Sequence, residues 1–338
     1  MKSQKLLYII TTFAFYLGLT SCDKRENNVL YPAGITDNIV TTAQKSGLNI
    51  FASAIRAAGM DTTFSYLGQY TILAPTDSAL NAAGITSASV ASMNKDALRA
   101  FLRNHIIPGR TSALSLLPGP NAPYNNINRD FIYTSSYVAN SSIVQPAAIL
   151  GTYFNGDKVL KTDILSNNGL FHIINGILAP VPGNLTATLT ANPSLSLLQA
   201  ALDRTGLTAA LNGLTSSVTL LAPNNAAFIA AGFPDVAAIN AANITTLTNI
   251  LRLHVIPATS ATTTAGRLFS CDFRTTTYPS LQTGSNITST LTGIVPTFRG
   301  DGNGTNQSGV VTPDLLYRSA ISTGQPNVLH IVNRVLLP

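Results

Sequence analysis

Apolar residues along the chain recur first at helical and then at strand spacing, and this order occurs twice. Apolar side chains spaced for one buried face predict an opening helix over Asn38–Ala58 and another over Ser194–Leu211. A short apolar run follows each helix, at Tyr70–Leu73 and Val218–Leu221, and predicts a strand that ends at an Ala-Pro pair. The two halves of the chain therefore share one order of elements.

Polar residues after these strands predict the start of further helices. Asp77, and Asn225 or Asn224 in the second half, stand where a helix N-cap accepts hydrogen bonds from free backbone N–H groups. Helices near Asp96–Asn104 and Ile244–Leu253 then lead into a His-aliphatic-Ile-Pro element, whose proline ends local regularity. The first half continues with β-rich segments at Arg129–Tyr137, Val144–Phe154 and Val159–Ile164. We therefore predict an α+β fold.

Three sequence blocks occur twice in the same order, which indicates a duplicated domain. The copies lie 148, 149 and 158 residues apart. The increase from 149 to 158 predicts an insertion between His254 and His330, around Arg299–Gly309. The paired blocks are Leu73–Leu80 with Leu221–Phe228, Phe101–Pro108 with Ile250–Pro257, and Leu170–Asn175 with Val328–Asn333.

These blocks define two predicted domains, repeat one over residues 34–183 and repeat two over residues 184–338. Pro and Gly between residues 180 and 184 are typical of a linker. A chain of 338 residues with 45% hydrophobic residues has enough apolar surface for two cores.

The first residues have the pattern of a processing signal. Lys2 and Lys5 precede an uncharged apolar stretch too short to span a bilayer comfortably, so we predict a signal peptide over residues 1–21. The sequence Leu-Thr-Ser before Cys22 resembles a bacterial lipobox, which predicts lipidation of Cys22 and attachment to the membrane. A plain secretory signal with an incidental cysteine is the alternative. The charged tether at residues 22–33 loosely resembles export segments of Bacteroidota lipoproteins, so we expect an outer-membrane lipoprotein exposed at the cell surface.

Charge and cysteine content exclude further classes of protein. The formal net charge is +6, but no lysine follows Lys161 and the arginines are scattered. Nucleic-acid binders cluster basic residues on one face, so we exclude nucleic acid as a partner. Cys271 has no intrachain partner once Cys22 carries lipid, and we expect it to be a buried, inert thiol.

The repeated blocks resemble the fasciclin (FAS1) domain family. The Ala-Pro-(Thr/Asn)-(Asp/Asn)-x-Ala-(Leu/Phe) element is similar to the first family signature, and His-(Ile/Val)-Ile-Pro is similar to the central one. Asn168–Leu178 is similar to the closing strand. The resemblance covers nearly all of the chain after about Ala33, and it implies two tandem domains, each a β-sandwich or wedge with packed helices. Repeat two departs from the pattern at Asn224-Asn225, at Pro326–Val328 and at Arg334.

The residues that match these signatures are expected to have structural roles. No Asp or Glu lies within four residues of any of the four histidines, so hydrogen-bonded, half-buried histidines are favoured over a zinc site. We expect no metal and no cofactor. The matching residues are Pro75, Asp77, His105, Pro108 and His172 in repeat one, and Pro223, Asn225, His254, Pro257 and His330 in repeat two.

The remaining motifs give no catalytic residues. Asp301–Gly309 begins like a calcium loop, but Asn306 and Thr312 stand where such a loop needs Gly and Glu, so a flexible hairpin tip is favoured. The chain has no Gly-x-Ser-x-Gly, His-Glu-x-x-His or Walker motif, and Glu26 is its one glutamate. We therefore expect a protein that is not an enzyme.

Adhesion or interaction at the cell surface is the function that the family resemblance implies, because such domains mediate contacts with cells, matrix or hosts. The expected protein is non-enzymatic and lipid-anchored, with a surface protein, matrix or glycan ligand that the sequence does not identify. The alternative is a carbohydrate-binding accessory lipoprotein of a nutrient-uptake system. Sugar sites favour exposed aromatic side chains, and core or strand placement explains the repeat-one tyrosines about as well. These are Tyr124, Tyr133, Tyr137 and Tyr153.

Overall fold

The computed structural model describes residues 34–61, 64, 69–137, 147–258, 266–319 and 326–338. The predicted signal peptide, Cys22 and the tether lie outside the described residues, as do residues 144–146 of one predicted β segment. Repeat one has helices α1 Ile39–Lys45, α2 Asn49–Ala57, α3 Asp77–Ala82, α4 Ser87–Ser92 and α5 Lys95–Asn104. Repeat two has helices α6 Leu185–Thr190, α7 Ser196–Arg204, α8 Leu207–Asn212, α9 Asn225–Ala230, α10 Val236–Ala241 and α11 Ile244–Leu253.

Among the described residues, each repeat contains a seven-stranded sheet. The strands of repeat one are β1 Tyr70–Pro75, β2 Ile106–Pro108, β3 Gly119–Asn125, β4 Phe131–Tyr137, β5 Gly151–Phe154, β6 Asp157–Ser166 and β7 Gly169–Ile174. Those of repeat two are β8 Val218–Pro223, β9 Val255–Pro257, β10 Thr276–Pro279, β11 Asn286–Thr292, β12 Val295–Arg299, β13 Ser308–Arg318 and β14 Pro326–Val332. The strand orders are β2-β1-β7-β6-β5-β4-β3 and β9-β8-β14-β13-β12-β11-β10, so both sheets have one topology. The expected α+β fold of two tandem domains is confirmed.

The central strands are mostly apolar because both of their faces are buried. In β1, Ile72 and Ala74 pack against the helices. The intervening Leu73 points to the opposite face, where it packs with Ile132 of β4 and Phe154 of β5. Successive residues of a strand point to opposite faces, so each sheet separates a helix-covered core from a second core between its own two halves.

The opening helices differ from the prediction, because each is interrupted by a glycine. Gly47 lies at φ +78°, and the N–H of Leu48 donates to the carbonyl of Ala43 at 2.9 Å, which ends α1 before α2 begins. Gly206 at φ +70° separates α7 from α8 in the same way. The periodic apolar pattern therefore covered two consecutive helices in each repeat, and the glycine was the signal that divides them.

The sheets differ at the connection where the insertion was expected. Strands β5 and β6 are joined by the tight turn Asn155-Gly156, whereas residues 300–307 join β12 to β13 and include the 3-10 turn Asp301–Asn303. The extra residues expected around Arg299–Gly309 therefore lie between these two strands. Within the described parts of the chain, no helix has the length and apolar character needed to cross a lipid bilayer.

Candidate functional site

Two of the four histidines end equivalent helices and tie them to the last segment of each repeat. The ring Nδ1 of His105 is 3.0 Å from the carbonyl oxygen of Phe101, and its Nε2 accepts the backbone N–H of Leu178 at 3.1 Å. His254 makes the same two contacts, to the preceding helical turn and to the N–H of Leu336, each at 2.8 Å. Since Nε2 accepts, Nδ1 carries the proton and donates it.

The other two histidines lie on the closing strands and use the opposite tautomer. Nδ1 of His172 accepts the backbone N–H of Asp163 at 3.4 Å, so Nε2 carries the proton and donates to the carbonyl of Thr111 at 2.9 Å. His330 repeats both bonds in the second repeat, at 3.2 and 2.8 Å. The two histidines of each repeat therefore connect distant main-chain segments.

This arrangement leaves the histidine rings neutral, with both ring nitrogens hydrogen-bonded. Burial lowers the pKa of His105, His254 and His330 to about 4, and their backbone hydrogen bonds oppose that shift only in part. Each ring has one nitrogen that donates and one that accepts, so no lone pair is directed toward a cation. Across the described residues, no group of three or more His, Cys, Asp or Glu side chains could hold a metal ion.

The prediction that Asp77 caps its own helix was wrong. Thr76 is the N-cap of α3, whereas the Asp77 carboxylate accepts the backbone N–H groups of Asn49 and Ile50, at 3.1 and 2.9 Å. These N–H groups belong to the first turn of α2, whose N-cap residue supplies no side-chain acceptor. Asp77 therefore caps a neighbouring helix through a tertiary contact.

Repeat two uses the same device with an amide. Asn224, one of the two residues considered, is the N-cap of α9, and Asn225 accepts the N–H of Leu197 in the first turn of α7 at 3.0 Å. The side-chain amide of Asn225 also donates to the carbonyl of Pro193 at 3.1 Å. The signature prolines lie at strand ends, Pro75 and Pro223 in β1 and β8, and Pro108 and Pro257 in β2 and β9.

The calcium-like segment has a structural role in repeat two. Asn303 is buried, and its side chain donates to the carbonyl of Val335 at 3.0 Å and accepts the N–H of Leu337 at 2.8 Å. The N–H of Gly302 donates to the carbonyl of Leu337 at 3.0 Å. Segment 300–307 therefore holds the last residues of the chain in place, and the side-chain oxygen of Asn303 is already hydrogen-bonded.

A buried polar cluster joins the two repeats. The Arg267 guanidinium of repeat two lies over the Tyr133 ring of repeat one, 3.8 Å from the ring centre. Asp272 of repeat two accepts the hydroxyl of Tyr137 at 2.6 Å and the side-chain amide of Asn121 at 3.2 Å, both from repeat one. Charged and polar groups are buried only where partners compensate them, so this cluster fixes one arrangement of the repeats.

Apolar side chains surround this cluster and come from both repeats. Three of the four tyrosines considered for sugar binding are buried in this interface, so they offer no exposed aromatic platform. Cys271 is also buried there, and burial raises the pKa of its thiol well above its usual value. The packed residues are Tyr133, Tyr137, Ile149 and Tyr153 from repeat one and Phe269, Cys271, Leu316 and Val328 from repeat two.

An open cleft borders the interface on the side of the linker. It has a volume of about 260 Å³, with Asp157 of repeat one and Asp314 of repeat two in its wall. Pro180 and Leu316 contribute apolar surface, and Thr188 lies at its edge. This cleft is a concave region in which side chains of both repeats meet.

Sequence reasoning missed the residues that build this interface. A Gly-Arg pair follows the central signature in both repeats, at Arg110 and Arg267, and an aspartate precedes each closing strand, at Asp163 and Asp314. Both aspartates have positive φ, +56° and +60°, within irregular positions of β6 and β13. These repeated residues were the signal that the sequence offered. They were missed because they fall between the longer blocks that define the duplication.

The chain matches the protein-family model for the fasciclin domain twice, over residues 46–180 and 193–338. It is similar to the fasciclin-like arabinogalactan protein elcF of Phaeosphaeria nodorum, with 30% identity over 42% of this chain and 40% of that protein. Similarity to the transforming growth factor-beta-induced protein ig-h3 of Oryctolagus cuniculus reaches 26% identity over 66% of this chain and 30% of that protein. The chain thus spans less than half the length of these two curated relatives.

Bacterial and structural relatives complete the comparison. Protein sll1483 of Synechocystis is 22% identical over 48% of this chain and 87% of its own length. A solved FAS1 domain pair from the insect cell adhesion molecule Fasciclin I matches 88% of this chain and 98% of its own, with 18% identity and a TM-score of 0.39.

Proposed function

Because the chain belongs to the fasciclin domain family, we propose that it is a non-enzymatic, lipid-anchored protein of the cell envelope that mediates adhesion or matrix interaction. Fasciclin domains commonly serve adhesion or contact with extracellular matrix, and they occur in secreted or cell-surface proteins. The observation that carries the proposal is the double match to the family, which leaves little of the chain for any other domain.

The lipid anchor is proposed from the sequence around Cys22. Small residues precede this cysteine at the end of an apolar stretch, and the several acyl chains of a mature lipoprotein hold a protein stably at a membrane. A charged tether would separate the first domain from the lipid surface. Two domains on such an anchor would be held at one membrane surface, and anchoring raises their effective concentration toward a partner.

Metabolic labelling with a clickable fatty acid tests the anchor. The wild-type protein should incorporate label, and Cys22→Ser should abolish it. The matched control is Cys271→Ala, which alters the buried cysteine and should leave labelling unchanged. Equal labelling of wild type and Cys22→Ser would refute lipidation at this residue.

Protease treatment of intact cells tests exposure and adhesion together. Wild-type protein should be lost rapidly from intact cells, and those cells should lose attachment to matrix-coated surfaces to the level of a deletion strain. Cells that express Cys22→Ser should release the protein and attach as poorly as the deletion strain. Protection of the protein until the outer membrane is breached, or full attachment after its removal, would refute the adhesive role.

A further inference from the structure

Asp163 and Asp314 occupy the same position in the two repeats but have different surroundings. Each donates its backbone N–H to the histidine of the closing strand. Each carboxylate also accepts a backbone N–H from the segment after the central signature, from Ala113 at 3.0 Å and from Ser270 at 2.7 Å. The two aspartates therefore make the same local hydrogen bonds. Any difference in how their carboxylates titrate has to come from the residues that cover them.

The β5–β6 hairpin of repeat one covers Asp314. Gly156 lies at φ +90°, and a β-carbon added there would collide with the Asp314 carboxylate. The next residue, Asp157, lines the same cleft, and its carboxylate packs against Gly176. Two acidic side chains, one from each repeat, thus line one cleft where the hairpin docks.

The charged groups around this pair are few within the described part of the chain. Among the described residues, no ion pair joins Asp157 or Asp314 to a lysine or arginine. His330 lies 3.9 Å from Asp314, but its Nδ1 accepts a hydrogen bond and the ring is neutral. The other titratable groups on the repeat-two side, Asp272 and Cys271, would add negative charge if ionised.

We propose that Asp157 and Asp314 form a proton-dependent contact between the two repeats, in which the hairpin stays docked while the pair retains a proton and loosens when both carboxylates are charged. Two carboxylates that share a poorly solvated site cannot both ionise without a large cost. The contact makes the coupling between the two fasciclin domains respond to the pH at the cell surface.

The direction of the pH dependence follows from the folded-state titration. Burial raises the pKa of Asp314 to about 7, despite hydrogen bonds from Ser270 that oppose the shift. Burial raises the pKa of Asp157 well above its usual value, and the neighbouring Asp314 charge adds to that effect. Each docked carboxyl therefore binds its proton more tightly than it does in the unfolded chain. Docking is strongest below about pH 4 and weakens as the pH rises, and the contribution of Asp314 is lost as the pH passes through about 7.

Hydrogen exchange of the full mature chain at pH 6, 7, 8 and 9, corrected for intrinsic exchange, tests the proposal. In the wild type, protection of segments 153–158 and 312–317 should fall about tenfold from pH 6 to pH 9, since one pKa unit corresponds to a factor of ten. Asp157→Asn removes one charge and keeps the hydrogen bonds of Asp314, so this variant should retain protection at pH 9. Asp163→Asn changes the equivalent carboxylate of repeat one, which does not line this cleft, and should lose protection as the wild type does.

A carboxyl-carbon NMR titration provides a second readout that does not depend on unfolding. The Asp314 signal should titrate with a midpoint near pH 7, whereas an uncovered aspartate titrates near pH 4. A midpoint near 4 for Asp314, or identical exchange profiles for the wild type and Asp157→Asn, would overturn the proposal.

Discussion

Leu114 and Cys271 occupy equivalent positions in the two repeats. Leu114 follows Ala113, whose backbone N–H donates to Asp163, and Cys271 follows Ser270, whose backbone N–H donates to Asp314. Leu114 is 98% exposed, whereas Cys271 is 5% exposed. The difference arises because repeat one packs over this region of repeat two and leaves its own equivalent region uncovered. Burial at these positions is therefore set by the neighbouring domain and not by the local fold.

The connections between the paired strands differ for a related reason. In repeat one, the tight Asn155-Gly156 turn lets the hairpin approach Asp314 closely. In repeat two, residues 300–307 replace that turn and brace the last residues of the chain. The two copies of one domain have thus become specialised, one to dock on its neighbour and the other to secure its own end.

Of the substitutions that test this comparison, removal of the Asp272 carboxylate should destabilise the protein most. Asp272→Ala leaves Tyr137, Asn121 and a backbone N–H without their acceptor inside the interface, and we expect a loss of about 3–5 kcal/mol in the free energy of unfolding. Denaturant unfolding at pH 7 measures it. The equivalent Ser115→Ala in the exposed segment of repeat one should change stability by less than about 0.5 kcal/mol. Equal losses of stability from the two substitutions would contradict the difference in coverage between the two equivalent segments.

The helix-ending histidines should respond to pH alike in both repeats. In the folded chain the pKa of His105 and His254 is about 4, below the value near 6.5 of an unfolded chain. Their contribution is therefore complete above pH 6.5 and is lost as the pH falls from 6.5 to 4. The stability difference between wild type and His105→Gln or His254→Gln should shrink by about 3 kcal/mol over that range. Chemical denaturation at several pH values checks this, and a difference independent of pH would contradict it.

A Gly→Ala substitution in the β5–β6 hairpin should destabilise the protein more than the same substitution in an exposed turn. Gly156→Ala places a methyl group against Asp314 at a positive φ, and we expect a loss of about 2–4 kcal/mol. Gly293→Ala has a similar φ of +69° but no atom within 4 Å of the added carbon, so the cost should be about 1 kcal/mol. Thermal unfolding of both variants makes the comparison, and similar losses would show that the hairpin does not dock.

The smallest effect is expected on the uncovered face. Leu114→Asn should change the free energy of unfolding by less than about 0.5 kcal/mol, because the side chain has almost no contacts to lose. Cys271→Asn places an amide into the buried interface and should cost about 1–3 kcal/mol. A matched loss for the two variants in urea unfolding would mean that both faces are covered.

The periodic apolar residues predicted most of the fold from the sequence. The repeated strands, the helices that precede the central signature and the position of the insertion depend on local pattern and on the comparison between repeats. The breaks at Gly47 and Gly206 were missed because an apolar face continues across them. The role of Asp77 was misassigned because its carboxylate accepts N–H groups from a helix that is distant in sequence.

The interface was not predictable from the same pattern. Arg267 and Asp272 resemble isolated polar residues in the sequence, and their partners Tyr133, Tyr137 and Asn121 lie in the other repeat. Docking of two domains depends on complementary surfaces, which hydrophobic periodicity does not record. The tyrosines were recognised as a group, but their shared environment became visible only when the second repeat covered them.

The central claim is that the two fasciclin domains form one docked unit. Differential scanning calorimetry of the chain from Cys22 onward at pH 6 tests it most directly. The account predicts a single transition in which the calorimetric and van't Hoff enthalpies agree, and Asp272→Ala should separate it into two. Two independent transitions in the wild type, or a calorimetric enthalpy about twice the van't Hoff value, would contradict it.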